Sequence, residues 1–141
     1  EVIMRFLSVY KGPETGVPPT QEEMARMGKL VEEGMKAGNL VVVEGCLPSA
    51  SGARVRLSNG KITVVDGPFT EAKEVIGGLA ILQAGSKEEA IEWVKRCPNP
   101  MLEDSEIEIQ QVYEAEDFGA ALTPELREQE ERLRNQVAAK A

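Results

Sequence analysis

Asn59-Gly60, set between two runs rich in β-branched residues, constrains this chain more than any other feature. A two-residue hairpin loop needs positive φ at both central positions, and Asn-Gly adopts it at low cost. With that pair as the loop, Leu57 faces Ile62, Val55 faces Val64 and Ala53 faces Asp66. One face of the ribbon then carries Val55, Leu57, Ile62 and Val64, with Asp66 at its end. The other carries Arg54, Arg56, Thr63 and Val65. The residues that follow, Asp66-Gly67-Pro68-Phe69, form a stiff turn, because the residue before a proline is restricted to extended or turn shapes.

Periodicity sorts the rest. Met4 to Tyr10 is apolar and partly β-branched or aromatic, the pattern of a buried strand. Lys11 to Pro19, rich in Gly and Pro, is a loop. Thr20-Gln21-Glu22-Glu23 is a capping box for a helix running to about Ala37. Met24, Met27, Val31 and Met35 form its stripe, and Gly38-Asn39 stops it. Gly28 and Gly34 either admit a close neighbour or weaken the helix. Leu40 to Val43 predicts a strand leading into Glu44-Gly45. Val75 to Gln83 predicts another, in which Gly77-Gly78 marks a bulge or a close approach. Ser86-Lys87-Glu88-Glu89 caps a helix to about Arg96 that buries Ala90, Ile91 and Val94. Glu106 to Glu114 alternates as a half-exposed strand does. Thr123-Pro124 opens a polar last helix, to about residue 139. Its apolar stripe is Leu126, Leu133 and Val137, and Glu128–Arg132 and Glu130–Arg134 have ion-pair spacing. Such a helix is marginal alone and is expected to dock on its own subunit or on a partner.

Setting aside the hairpin and the last helix leaves βαββαβ within about residues 4 to 114, one α+β domain of the ferredoxin-like kind. Its sheet is expected to be antiparallel with both main helices on one face. The other face then needs a cover, and a second subunit packed sheet to sheet is the expected one, giving a homodimer.

The charge and residue inventory excludes several functions. A net charge of −8 repels phosphate backbones, so no nucleic-acid partner is expected. No run of 18 apolar residues occurs, so no membrane span is expected. The start lacks the pattern of a secretory signal, and Met4 reads as the natural start, with Glu1 to Ile3 as a leader or a cloning remnant. Cys46 and Cys97 belong to no CxxC and are expected to be free thiols in a reducing cytoplasm. There is no histidine, which removes Ser-His-Asp and Cys-His catalysis within the chain. No clustered carboxylates mark a metal site, and no glycine loop of phosphate-binding spacing marks a cofactor.

The nine residues Asp66 to Glu74, DGPFTEAKE, followed by Gly77-Gly78, resemble the signature of the DGPF (DGPFAETKE) proteins. These are a branch of the YciI-related (YCII) group. The likeness extends to Thr20 to Met24, Ala37-Gly38, Glu44-Gly45, Leu47-Pro48, Lys87 to Ala90, Glu116 to Phe118 and Leu122 to Glu125. The resemblance implies a dimeric α/β barrel, cytoplasmic and bacterial, of unsettled biochemical function, with a sigma-factor link among its members. Leu79 and Ala80 stand where the group commonly has aromatics, which implies a wider pocket or another ligand. The histidine–aspartate pair associated with the YciI branch has no counterpart here, because the histidine is missing.

The candidate site gathers around the turn. Asp66 is either a turn former or a ligand-binding or proton-moving group, and burial on the apolar hairpin face would raise its pKa. Glu44, at a strand end, is either solvated or directed into a pocket. If the two meet, they form an acid–base pair. Phe69 reads as core or as a ligand platform, beside Pro68. Lys73 reads as part of a solvated turn with Glu71 and Glu74, or as an anion ligand. Arg54, near the Asp66 end, is the hairpin arginine best placed for a pocket, and Tyr10 reads as a core ring or a pocket donor. The leading reading is a small-molecule-binding, regulatory homodimer with a cleft near the turn. A cofactor-free enzyme using Asp66 and Glu44, and a protein–protein module serving a sigma factor, are the alternatives.

Overall fold

The computed structural model describes residues 3–71, 73, 75–98 and 104–140. Ala72 and Glu74 of the DGPF stretch, and Glu1 and Val2, lie outside them. The chain divides into a first unit, Glu1–Gln111, and a second, Val112–Ala141.

In the first unit the strands β1 (Met4–Lys11), β2 (Leu40–Gly45), β5 (Ile76–Ala84) and β6 (Glu106–Gln111) make one sheet in the order β2-β5-β1-β6. Every neighbouring pair in it is antiparallel. The helices are α1 (Gln21–Ala37) and α2 (Lys87–Val94). This α+β arrangement is compatible with the ferredoxin-like one. β3 (Ala53–Ser58) and β4 (Lys61–Asp66) form a separate two-stranded ribbon in the predicted register, and Asn59 and Gly60 have φ of 51° and 74°.

Both predicted capping boxes place their hydroxyls as expected. Glu23 N–H donates to Thr20 Oγ1 at 3.1 Å, and Glu89 N–H donates to Ser86 Oγ at 3.1 Å. Gly38 closes α1 in the left-handed region, at φ 79°. The buried line of α1 differs from the methionine stripe. Leu30 and Gly34 are buried, Val31 packs on the core, and Met24 and Met35 are exposed. Gly34 causes this. A Cβ there would lie 2.7 Å from Trp93 Cζ2 and 2.9 Å from Leu40 Cβ, so the missing side chain lets the helix settle on this line. Met35, about 100° further round, turns outward. Gly28 has nothing within 4 Å of such an atom and serves no contact.

The core is Phe6, Leu40, Leu82, Ala84 and Ala90, with Trp93, Val94 and Ile109 packed against it. Phe6 is paired with both Leu82 and Gln111, so it lies near the middle of the helix-covered face. Burying one such side chain is worth about 1.5–3 kcal/mol. The opposite face shows two cross-strand rows, Val42–Ile81–Leu7–Gln110 and Glu44–Leu79–Val9–Glu108. Its aliphatic centre is half-buried to exposed.

β5 carries the predicted irregularity. Its pairing with β1 shifts between Tyr10 and Lys11, at Gly77, and a Cβ on Gly78 would lie 3.0 Å from the Glu44 carbonyl oxygen. β6 ends at Gln111 rather than Glu114. In the second unit Tyr113 leaves the strand pattern to stack on Phe118, with ring centroids 4.8 Å apart. There α3 (Pro124–Lys140) begins where Leu126 N–H meets Thr123 Oγ1 at 3.3 Å. Glu130 pairs with Arg134 at 2.9 Å, as predicted. Among the described residues no ion pair joins Glu128 and Arg132, whereas Arg127 reaches Glu116 at 2.7 Å.

Candidate functional site

The DGPF turn is held against a short 3-10 turn at Ser49–Ser51, which follows β2. Gly67 N–H donates to the Gly52 carbonyl at 2.9 Å, and Phe69 N–H donates to Ser49 Oγ at 2.9 Å. Gly67 lies so close that a Cβ on it would sit 1.8 Å from the Ser49 carbonyl oxygen. The Gly67-Pro68 peptide is cis. Ser49 is itself tethered, since its Oγ–H donates to Glu14 Oε2 at 2.8 Å and its N–H donates to Glu14 Oε1. The chain of bonds therefore runs from Glu14 in the first loop, through Ser49, to Phe69.

Beside this brace opens a cavity of about 420 Å³, lined among others by Cys46, Leu47, Pro48, Phe69 and Ile76. That volume lies in the usual range for small-ligand sites. Ser49 and Ser51 supply the polar part of the lining, and the walls are mainly aliphatic and aromatic. The Arg54 guanidinium stands over the Phe69 ring, 3.9 Å from its centroid. A cation on the ring face adds attraction and holds the ring in place. Phe69, half-buried, thus has Arg54 on its ring and the cavity beside it.

The candidates divide accordingly. Arg54, Pro68 and Phe69 come together at the turn. Asp66 ends β4 opposite Ala53, as the register required, but it is exposed rather than buried. The physical reason is that the whole apolar face of the ribbon, on which Asp66 lies, is itself open. Glu44 lies in the other sheet, opposite Leu79, and is also exposed. No hydrogen bond or ion pair joins Asp66 and Glu44 among the described residues. Lys73 is exposed.

Tyr10 lies elsewhere. Its ring would meet a Cβ on Gly77 at 2.9 Å, and it lines a second cavity of about 380 Å³ between α2 and β6, with Cys97, Ser105 and Ile107. Burial pushes the Cys97 thiol up from its ordinary pKa, and the neighbouring Arg96 offsets part of that. Both cysteines are free, Cys46 exposed and Cys97 half-buried. Among the described residues no three Asp, Glu or Cys side chains form a metal-holding group. No helix among them is long and apolar enough to cross a membrane.

Glu14 and Ser49 escaped the sequence reading. Glu14 is the one charged residue between Gly12 and Gln21, and a lone carboxylate in a Gly/Pro loop is the signal that was present. Its partner lies 35 residues away, and no local pattern names it.

The family model for the YCII-related domain matches residues 4–116. Among curated proteins, an uncharacterized protein of Rhizobium meliloti (strain 1021) is 34% identical over 65 residues, which is 46% of this chain. The match spans about half of that relative's own length, 52%.

Proposed function

The chain belongs to the YCII-related domain family, and on that premise we propose that it is a small-molecule-binding protein, working as a homodimer, whose ligand enters the cavity beside the DGPF turn. One observation carries this reading: a cavity of about 420 Å³ with aliphatic and aromatic walls, adjoining a turn that two hydrogen bonds hold to Gly52 and Ser49, with Ser49 itself tethered by two more to Glu14. A turn so anchored keeps the cavity in shape before a ligand arrives, which lowers the ordering cost of binding. The lining favours a compact, largely apolar and uncharged molecule, with Ser49 and Ser51 for one or two hydrogen bonds. A regulatory role suits such binding, since occupancy would stabilise the turn and the β2 end together. The homodimer would form through the open sheet face, where Leu7, Val9, Val42, Leu79 and Ile81 expose an aliphatic centre.

The test is a thermal-shift screen of small aliphatic and aromatic metabolites on the wild type and on Leu47→Asp. Leu47 is 77% exposed at the cavity, so a charge there should leave the fold intact while spoiling the apolar wall. A compound present at about 100 times its Kd should stabilise the wild type by about 2.7 kcal/mol. The same compound should leave Leu47→Asp unshifted. A compound that shifts both proteins equally binds elsewhere and overturns this site.

A further inference from the structure

The β3–β4 ribbon has an apolar face that the fold leaves open. Val55, Leu57, Ile62 and Val64 are 61, 76, 70 and 64% exposed, and they adjoin one another across the ribbon. A two-stranded ribbon in water is marginal unless something backs it. This ribbon pairs with no third strand among the described residues. Its charge is also unlike that of the rest of the chain. Residues 53 to 66 hold Arg54, Arg56 and Lys61 against Asp66, a net +2, so the remainder of a chain of net −8 carries −10.

We propose that this hairpin is an intersubunit arm whose apolar face lies against the body of a second copy of the chain. Net charge favours that occupant at long range: an arm of net +2, with Arg54 and Arg56 on the ribbon face opposite the apolar one and Asp66 at the apolar face's end, is drawn to another copy's body of net −10 and repelled by another copy's arm. Area supports it. The open fraction of the four side chains is on the order of 250 Å². Two arms, with the surface each one covers, then hide roughly 1,000 Å², the lower bound for a specific interface. A two-fold dimer doubles every contact in this way, so one sequence feature supplies both arms. The inference rests on the homodimer proposed above and goes beyond it, because the open sheet face alone would make a dimer without the arm.

Sedimentation equilibrium of the wild type and of Leu57→Asp/Ile62→Asp, over a wide concentration range, tests it. Both positions are open in the single chain, and far-UV circular dichroism checks that the variant keeps its fold. The expected result is a wild-type dimer and a variant whose dimer Kd is weaker by at least about 100-fold. A wild-type dimer with an unchanged variant overturns the arm and leaves the homodimer standing. A wild type that is monomeric throughout overturns both. Hydrogen exchange on the unmodified protein gives a second readout. Amides of residues 53 to 66 should lose protection on dilution into the monomer range, and protection that ignores dilution overturns the arm even if the variant misfolds.

Discussion

Gly67 shows how far a single position carries the candidate site. Its Cα sits where any side chain would run into the Ser49 carbonyl, at 1.8 Å, and that carbonyl is backbone with little room to move. Gly67→Ala is therefore expected to cost about 3 kcal/mol, read as a lower urea midpoint, as overpacked sites do. Gly28→Ala is the matched control. Nothing lies within 4 Å of its added methyl, in the middle of α1, so it should stabilise by roughly 0.5–1 kcal/mol. Chemistry names a glycine before proline as a turn former in both directions of reasoning. Only the fold reveals that the neighbour is Ser49, because hydrogen bonds and contacts across 18 residues have no local signature.

At the scale of elements, the parts legible in the sequence are those whose determinants are local. The Asn59-Gly60 loop set the ribbon register, and Thr20 and Ser86 set the helix starts. The α1 face was misread because its inward line is chosen by Trp93, 59 residues beyond Gly34 in the sequence, and not by the helix's own methionines. The second unit offers a titration at this scale. The Glu116 backbone N–H, and then the Arg127 side chain, hold the Glu116 carboxyl below its ordinary range. A depressed carboxylate lends its full stabilisation above the ordinary pKa, and that is lost as pH falls through the lowered value. Arg127→Ala should move the Glu116 titration upward, toward the ordinary range, as read by NMR of its side-chain carboxyl. Salt should shrink the difference, since the pair is exposed.

For the molecule as a whole, the dominant feature is surface that one chain leaves uncovered. The rows through Leu7, Ile81, Val9 and Leu79 form an aliphatic patch on a sheet whose other side already carries α1 and α2. If a second copy covers it, folding and association are linked. The unfolding midpoint should then rise with protein concentration in differential scanning calorimetry, since only the native state dimerises. A midpoint independent of concentration counts against the homodimer. This surface was foreseeable from βαββαβ order alone, because two helices can cover only one face of a four-stranded sheet.

By itself the sequence determined the element order, the ribbon register, both main helix caps and the likeness to the YCII-related family. Each of these rests on neighbours a few residues apart, or on a motif read in one stretch. Tertiary structure alone decided that Glu14 reaches Ser49, that Arg54 covers Phe69, that Tyr10 serves a different cavity and that Asp66 and Glu44 stand exposed on separate sheets. Those facts depend on how strands and loops distant in sequence approach in space. Close approach is set by the packing of the whole domain, through gaps such as Gly34 and Gly67, and no residue's own chemistry specifies it.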